Sequence, residues 1–179
     1  MKIEIRDARV KDARFVRDLA VESVTYGIPH TREVSPDYVR ARTRKSLAEL
    51  EMVVRLDPTF KVLVAEDVDK GQLVGYIMLD LKNEESSTGE PQVMIHDLAV
   101  RRDYWGRRVV DKLIKAAAEV TASLGLRYLV GEVTRANERT LGTACKGLGF
   151  EIERHQIVKI CTPKVEPGGS PTAEPGAPR

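Results

Sequence analysis

The feature that most constrains this chain is a strand, a loop, a helix and a second strand written in succession from residue 92 to residue 134. Gln92 to Val100 is a β-prone run. From Gly106 to Leu124 the apolar residues Val109, Val110, Leu113, Ile114, Ala117, Val120 and Leu124 recur at helical spacing, and Gly125 stands where a C-cap falls. A β-branched and aromatic run, Arg127 to Thr134, follows. A strand-helix-strand unit of this kind sets its two strands parallel in one sheet, with the helix on a face.

The flanking segments add the rest of an α/β domain. Residues 2 to 6 alternate as a half-buried strand, and Ala13, Val16, Leu19, Ala20 and Val24 have helical spacing within a helix over 10–24. Ser35-Pro36-Asp37 reads as an N-cap, a proline at the first helical position and an early acid, predicting a second helix from Pro36 to about Leu56. Its Arg40, Arg42, Arg44 and Lys45 read as a solvated face, or as a path for an acidic substrate. Phe60 to Glu66 and Leu73 to Leu81 predict a hairpin, and residues 83–91 a polar loop that could border a substrate site. After the central unit come a helix from Asn137 to Lys146 and a last strand near Ile152 to Ile160. The Pro- and Gly-rich stretch 163–179 has almost nothing to bury and is expected to be a disordered tail to a single domain over 1–162.

Composition excludes several classes. A net charge of +2 over 179 residues gives no whole-molecule basic field, so neither nucleic acid nor an anionic membrane is expected as partner. Two cysteines, Cys145 and Cys161, make no disulfide framework, and no Cys or His spacing suggests zinc. The alternating N-terminus lacks the apolar run of a signal peptide, and no apolar run is long enough for a membrane span. A cytoplasmic setting is expected.

The loop that feeds the helix at Gly106 is where chemistry concentrates. A helix start offers unpaired N–H groups and the positive end of the macrodipole to an anion, and Arg101, Arg102, Arg107 and Arg108 surround this one. A phosphate-bearing ligand is the natural expectation. No Walker-type lysine or G-x-G-x-x-G accompanies the loop, which argues against an ordinary nucleotide-binding domain.

The segment resembles the GNAT N-acetyltransferase superfamily, whose strand, loop and helix read L-x-V-x-P-x-x-R-G-x-G-x-G/A. Leu98, Val100, Asp103, Tyr104, Gly106 and Leu113 fall in register with it. A second resemblance lies in Gly131-Glu-Val-Thr-Arg-Ala-Asn137 and in Leu148-Gly149-Phe150, similar to the family's V-x-x-x-N and later x-G-F. The resemblance implies a three-layer α/β/α fold around a mixed, mostly antiparallel sheet with two splayed parallel strands. It implies acetyl-CoA as cosubstrate, with the pantetheine arm on the backbone of Leu98, Ala99 and Val100 and contacted by Asn137. The pyrophosphate would lie on the amides of Trp105, Gly106, Arg107, Arg108, Val109 and Val110. It also implies an amine acceptor, small molecule or protein, and a possible homodimer.

The loop departs from the family pattern: Trp105 stands for Arg or Gln, Arg108 for the second glycine and Val110 for the last small residue. The family's frequent tyrosine acid falls on Ala144, or on Cys145 if one residue is inserted. Direct acetyl transfer needs a base for the amine proton. Glu132, on the second splayed strand, resembles a position where some members hold it, and Asp97 on the first is the other candidate. Strand alternation predicts that His96 points away from Asp97. His30 and His155 have no constellation around them. The altered loop leaves two readings open, an N-acetyltransferase and a GNAT-fold binding or regulatory module that has lost catalysis.

Overall fold

In the computed structural model of the protein, which describes residues 1–161, five strands form one sheet in the order β1-β2-β3-β4-β5. These are β1 (Ile3–Asp7), β2 (Phe60–Asp67), β3 (Gln72–Glu84), β4 (Pro91–Val100) and β5 (Leu129–Gly131). The first four pair antiparallel and β4 pairs β5 parallel, so the sheet is mixed as expected.

Alternation along the strands sends side chains into two cores. On one face, Ile77, Leu79, Val93 and Val100 pack against Val109, Leu113 and Ala117 of α4 (Val109–Ser123). The 109-113-117-121 spacing buries one stripe of that helix, and Gly125 ends it at φ 74°. On the other face, Val62, Val64, Tyr76, Met78 and Ala99 pack against α1 (Ala13–Ser23) and Leu50 of α3 (Leu50–Leu56). The three-layer α/β/α arrangement follows from this two-sided burial.

The Ser35 cap forms, its Oγ accepting from the Tyr38 N–H at 3.1 Å, but the helix it starts is shorter than expected. It divides into α2 (Pro36–Ser46) and α3. No residue of α2 is buried whereas Leu50 is, and the break at 47–49 lets α3 turn that leucine onto the sheet. The expected 83–91 loop contracts to a turn over 85–90, because β3 runs on to Glu84 and β4 begins at Pro91.

Two strand expectations are corrected. The run 127–134 gives only the three residues of β5, after which the chain leaves the sheet and, past a short turn at 135–137, enters α5 (Glu138–Gly147). Residues 152–160, expected as a last strand, form none, and Ile157 and Ile160 are 92% and 76% exposed. A strand needs a partner edge, and a three-residue β5 offers little of one. The 163–179 tail lies outside the described residues.

Candidate active site in the gap beside β4

A β-bulge builds the site. Met78 pairs with Asp97 but Leu79 with Ile95, so His96 is the extra residue on β4. Before the bulge β4 is joined to β5 through Val93↔Leu129, Met94↔Val130 and Ile95↔Gly131; beyond it, that pairing ends. Arg101 donates its N–H to the Val74 carbonyl at 2.9 Å, so backbone alternation turns the N–H and C=O groups of Val100 and Leu98 away from β3. They face the gap where β5 has parted from β4, the splay that the family resemblance implies.

Asp97 stands at the edge of this gap. Its Oδ1 accepts from the Leu98 N–H at 2.9 Å and its Oδ2 from the Tyr76 hydroxyl at 2.6 Å. Tyr76 is fully buried beneath α1. Burial pushes the Asp97 carboxyl above the usual range, and it outweighs the hydrogen bonds from Tyr76 and Leu98 and the nearby His96, which pull the other way. Burial also raises the Tyr76 phenol, helped by the charge of Asp97, so Tyr76 acts as a donor to a carboxylate.

His96 does not take the opposite face that simple alternation predicts. Its ring meets Phe60 edge-to-face at 5.4 Å, and Phe60 belongs to the α1-side core that also holds Tyr76. The bulge has turned two consecutive residues, His96 and Asp97, toward one side.

The loop after β4 is tied down by Tyr104, a buried residue whose hydroxyl donates to Oδ2 of the buried Asp67 at 2.7 Å and accepts from Gln72 Nε2. Two of its residues are left-handed, Gly106 at φ 75° and Arg108 at φ 58°. Arg108 is the one non-glycine residue at positive φ among the described residues. It keeps the backbone shape that a second glycine would take, and its side chain turns outward to Asp111, Nε to Oδ2 2.8 Å.

Of the amides expected to hold an anion, those of Trp105 and Arg107 close turns onto Arg102 and Tyr104. Among the described residues, that leaves Gly106, Arg108, Val109 and Val110 without a backbone partner, at a helix start that no side chain caps. Val110 is half-buried against the α4-side core, so a β-branched residue fits there by packing. A left-handed non-glycine residue costs about 1–2 kcal/mol. Arg108→Gly is therefore expected to stabilise the protein by about 1 kcal/mol, since the exposed pair with Asp111 contributes little; an unchanged or lower urea midpoint would count against this backbone assignment.

The remaining candidates are spread around the gap. Glu132 is exposed, one residue past the end of β5 rather than on a strand. Asn137 caps the start of α5 and accepts from Thr140 Oγ1 at 2.7 Å. The buried Thr134 hydroxyl, where the chain leaves β5, has no partner among the described residues. Ala144 and Cys145 are half-buried on α5, while His30 and His155 are exposed. Arg42, Arg44 and Lys45 are solvated on α2, and Arg40 pairs with Asp37 at 2.9 Å. Sequence reasoning missed Tyr76, because a tyrosine within the apolar run 73–81 reads as core; only the bulge in the neighbouring strand gives its hydroxyl a partner.

The parted parallel strands and the uncapped, left-handed loop beside them define an α/β protein of the acetyltransferase type. The profile of the Acetyltransferase (GNAT) family matches residues 28–150, and the chain belongs to that family. Solved structures share the fold at low identity. A PaiA N-acetyltransferase from Thermoplasma acidophilum in complex with coenzyme A is 19% identical with a TM-score of 0.70, over 87% of this chain and 94% of that one. A putative acetyl transferase from Pyrococcus furiosus is 16% identical with a TM-score of 0.70, over 89% and 100%. AAC(6')-Iy in complex with a bisubstrate analog is 17% identical with a TM-score of 0.65, over 90% and 99%. No curated protein matches significantly. No helix among the described residues is long and apolar enough to cross a membrane.

Proposed function

We propose that the protein transfers an acetyl group from acetyl-CoA to an amine, with Asp97 as general base. The observation that carries this reading is the gap opened by the His96 bulge, with a half-buried carboxylate at its edge and an anion-competent loop at its end. Family membership and the coenzyme A complex of the Thermoplasma acidophilum protein support it.

This chain's own groups suit the cosubstrate. The loop amides at 106 and 108–110, backed by the positive end of α4, would hold the pyrophosphate. The edge of β4 at Leu98 and Val100 would hold the amides of the arm, and the unpartnered Thr134 hydroxyl and Asn137 lie on the chain leaving the other strand. When bound, acetyl-CoA supplies an activated thioester carbonyl. Asp97 takes the proton of the attacking amine, while Tyr76 and the Leu98 N–H fix the carboxylate's orientation. Asp97 is a better base than Glu132 because it is held by two hydrogen bonds and raised by burial, whereas Glu132 is exposed.

The test is release of free coenzyme A from acetyl-CoA against a panel of small-molecule and peptide amines. Amine-dependent thiol release is expected, and its absence across the panel would sink the catalytic reading. Loss of the Tyr76 hydroxyl removes a bond that lowers Asp97, so Tyr76→Phe is expected to move the acid limb of the kcat/KM profile to higher pH. A limb that stays put or moves down would show that the proton acceptor is another group.

A further inference from the structure

The gap-facing edge of β4 is already engaged by two of the protein's own side chains. Asp97 accepts from the Leu98 N–H, and Trp105 donates its indole Nε1–H to the Val100 carbonyl at 2.8 Å. The backbone of Val100 faces the gap, as the Arg101 to Val74 hydrogen bond fixes. The indole N–H therefore sits on a carbonyl that an incoming amide donor needs. The ring is held by Tyr26, edge-to-face at 5.6 Å, and by the Arg102 guanidinium 6.0 Å above it. Trp105 is nonetheless 40% exposed and Tyr26 49% exposed, so the indole can swing outward without opening the core.

We propose that Trp105 is an internal competitor for the cosubstrate: its indole occupies the Val100 carbonyl in the free protein and leaves when an amide of the pantetheine arm takes that place. The inference rests on the acetyl-CoA reading above, and it gives the Trp105 replacement in the loop a role. A carbonyl pointing into a gap is costly to leave bare, and the indole satisfies it until ligand arrives. The consequence is weakened binding, because each arriving ligand exchanges one hydrogen bond for another instead of gaining one.

Trp105 is the chain's single tryptophan, so its emission reports on this residue alone. The experiment is a titration of the intact protein with coenzyme A, followed by calorimetry and by tryptophan emission, and repeated by calorimetry on Trp105→Phe and Tyr26→Ala. The phenylalanine keeps an aromatic ring but lacks the donor, and the alanine removes the ring that steadies the indole. Coenzyme A is expected to red-shift the emission saturably, with the calorimetric Kd, and to bind Trp105→Phe about three- to tenfold more tightly, the worth of one net hydrogen bond. Tyr26→Ala should tighten binding in the same direction. Equal or weaker binding to Trp105→Phe, whatever the emission does, would overturn the proposal. If neither wild type nor variant binds at millimolar ligand, the acetyl-CoA reading itself falls, and this inference with it. Binding by the variants alone would overturn the exchange, because the indole would then not leave for coenzyme A.

Discussion

Asp97→Asn is expected to leave the protein folded and to lower the rate of acetyl transfer by about 10²- to 10⁴-fold, the usual contribution of a positioned base. Asparagine has nearly the same shape: its Oδ1 can still accept from the Leu98 N–H, and its Nδ2 can donate to a rotated Tyr76 hydroxyl, so the gap keeps its geometry. What is lost is the proton acceptor. Because burial raises the folded carboxyl above its ordinary value near 4, wild-type kcat/KM should fall as pH drops through that raised value and be level above it. The Asn variant should lack that limb. Retained activity with an unchanged profile would move the base elsewhere, with Glu132 the first place to look by Glu132→Gln.

The second large effect concerns stability. Tyr104→Phe removes the hydroxyl that donates to Asp67 Oδ2, and Asp67 Oδ1 already has no partner in a fully buried position. The variant would take the phenol from Oδ2 while Oδ1 stays unpartnered, and would strip Gln72 of its acceptor. The expected cost is about 2–3 kcal/mol, or about 5–10 °C in Tm for a chain of this size. Adding Asp67→Asn should recover part of the loss, since it removes the charge while keeping the shape. A Tyr104→Phe Tm within a degree of wild type would show that the pair does not anchor the loop.

Much of the fold was legible because burial on both faces of a sheet writes a strong pattern. The stripe at 109, 113 and 117 announces α4, and Gly125 announces its end. The apolar runs at 60–66 and 73–81 announce β2 and β3. What failed was pairing. The β-branched residues at 152, 157, 158 and 160 are a local feature, whereas a strand is a relation between two segments, and the short β5 gives that run little to join. The break at 47–49 was hidden because a helix that turns to bury Leu50 keeps helical spacing on both sides of the turn.

The site was legible as a location and less so as a geometry. Leu98, Val100 and Gly106 mark residues 94–110, and the structure sets the backbone of Leu98 and Val100 on the gap-facing edge of β4. The bulge at His96 had no mark in sequence, so the shared side of His96 and Asp97 went unforeseen, and so did the Tyr76 partner on β3. Arg108 looked like a broken glycine position. Its left-handed backbone shows that side-chain identity and backbone shape can part company at a cost of about 1–2 kcal/mol.

The most direct test of this account is calorimetric titration of the intact protein with acetyl-CoA. The loop, the parted strands and the uncapped helix predict one site per chain with micromolar affinity, about 8 kcal/mol of binding free energy. No heat and no binding at millimolar acetyl-CoA would contradict it, and the chain would then be a family member that keeps the fold without its cosubstrate.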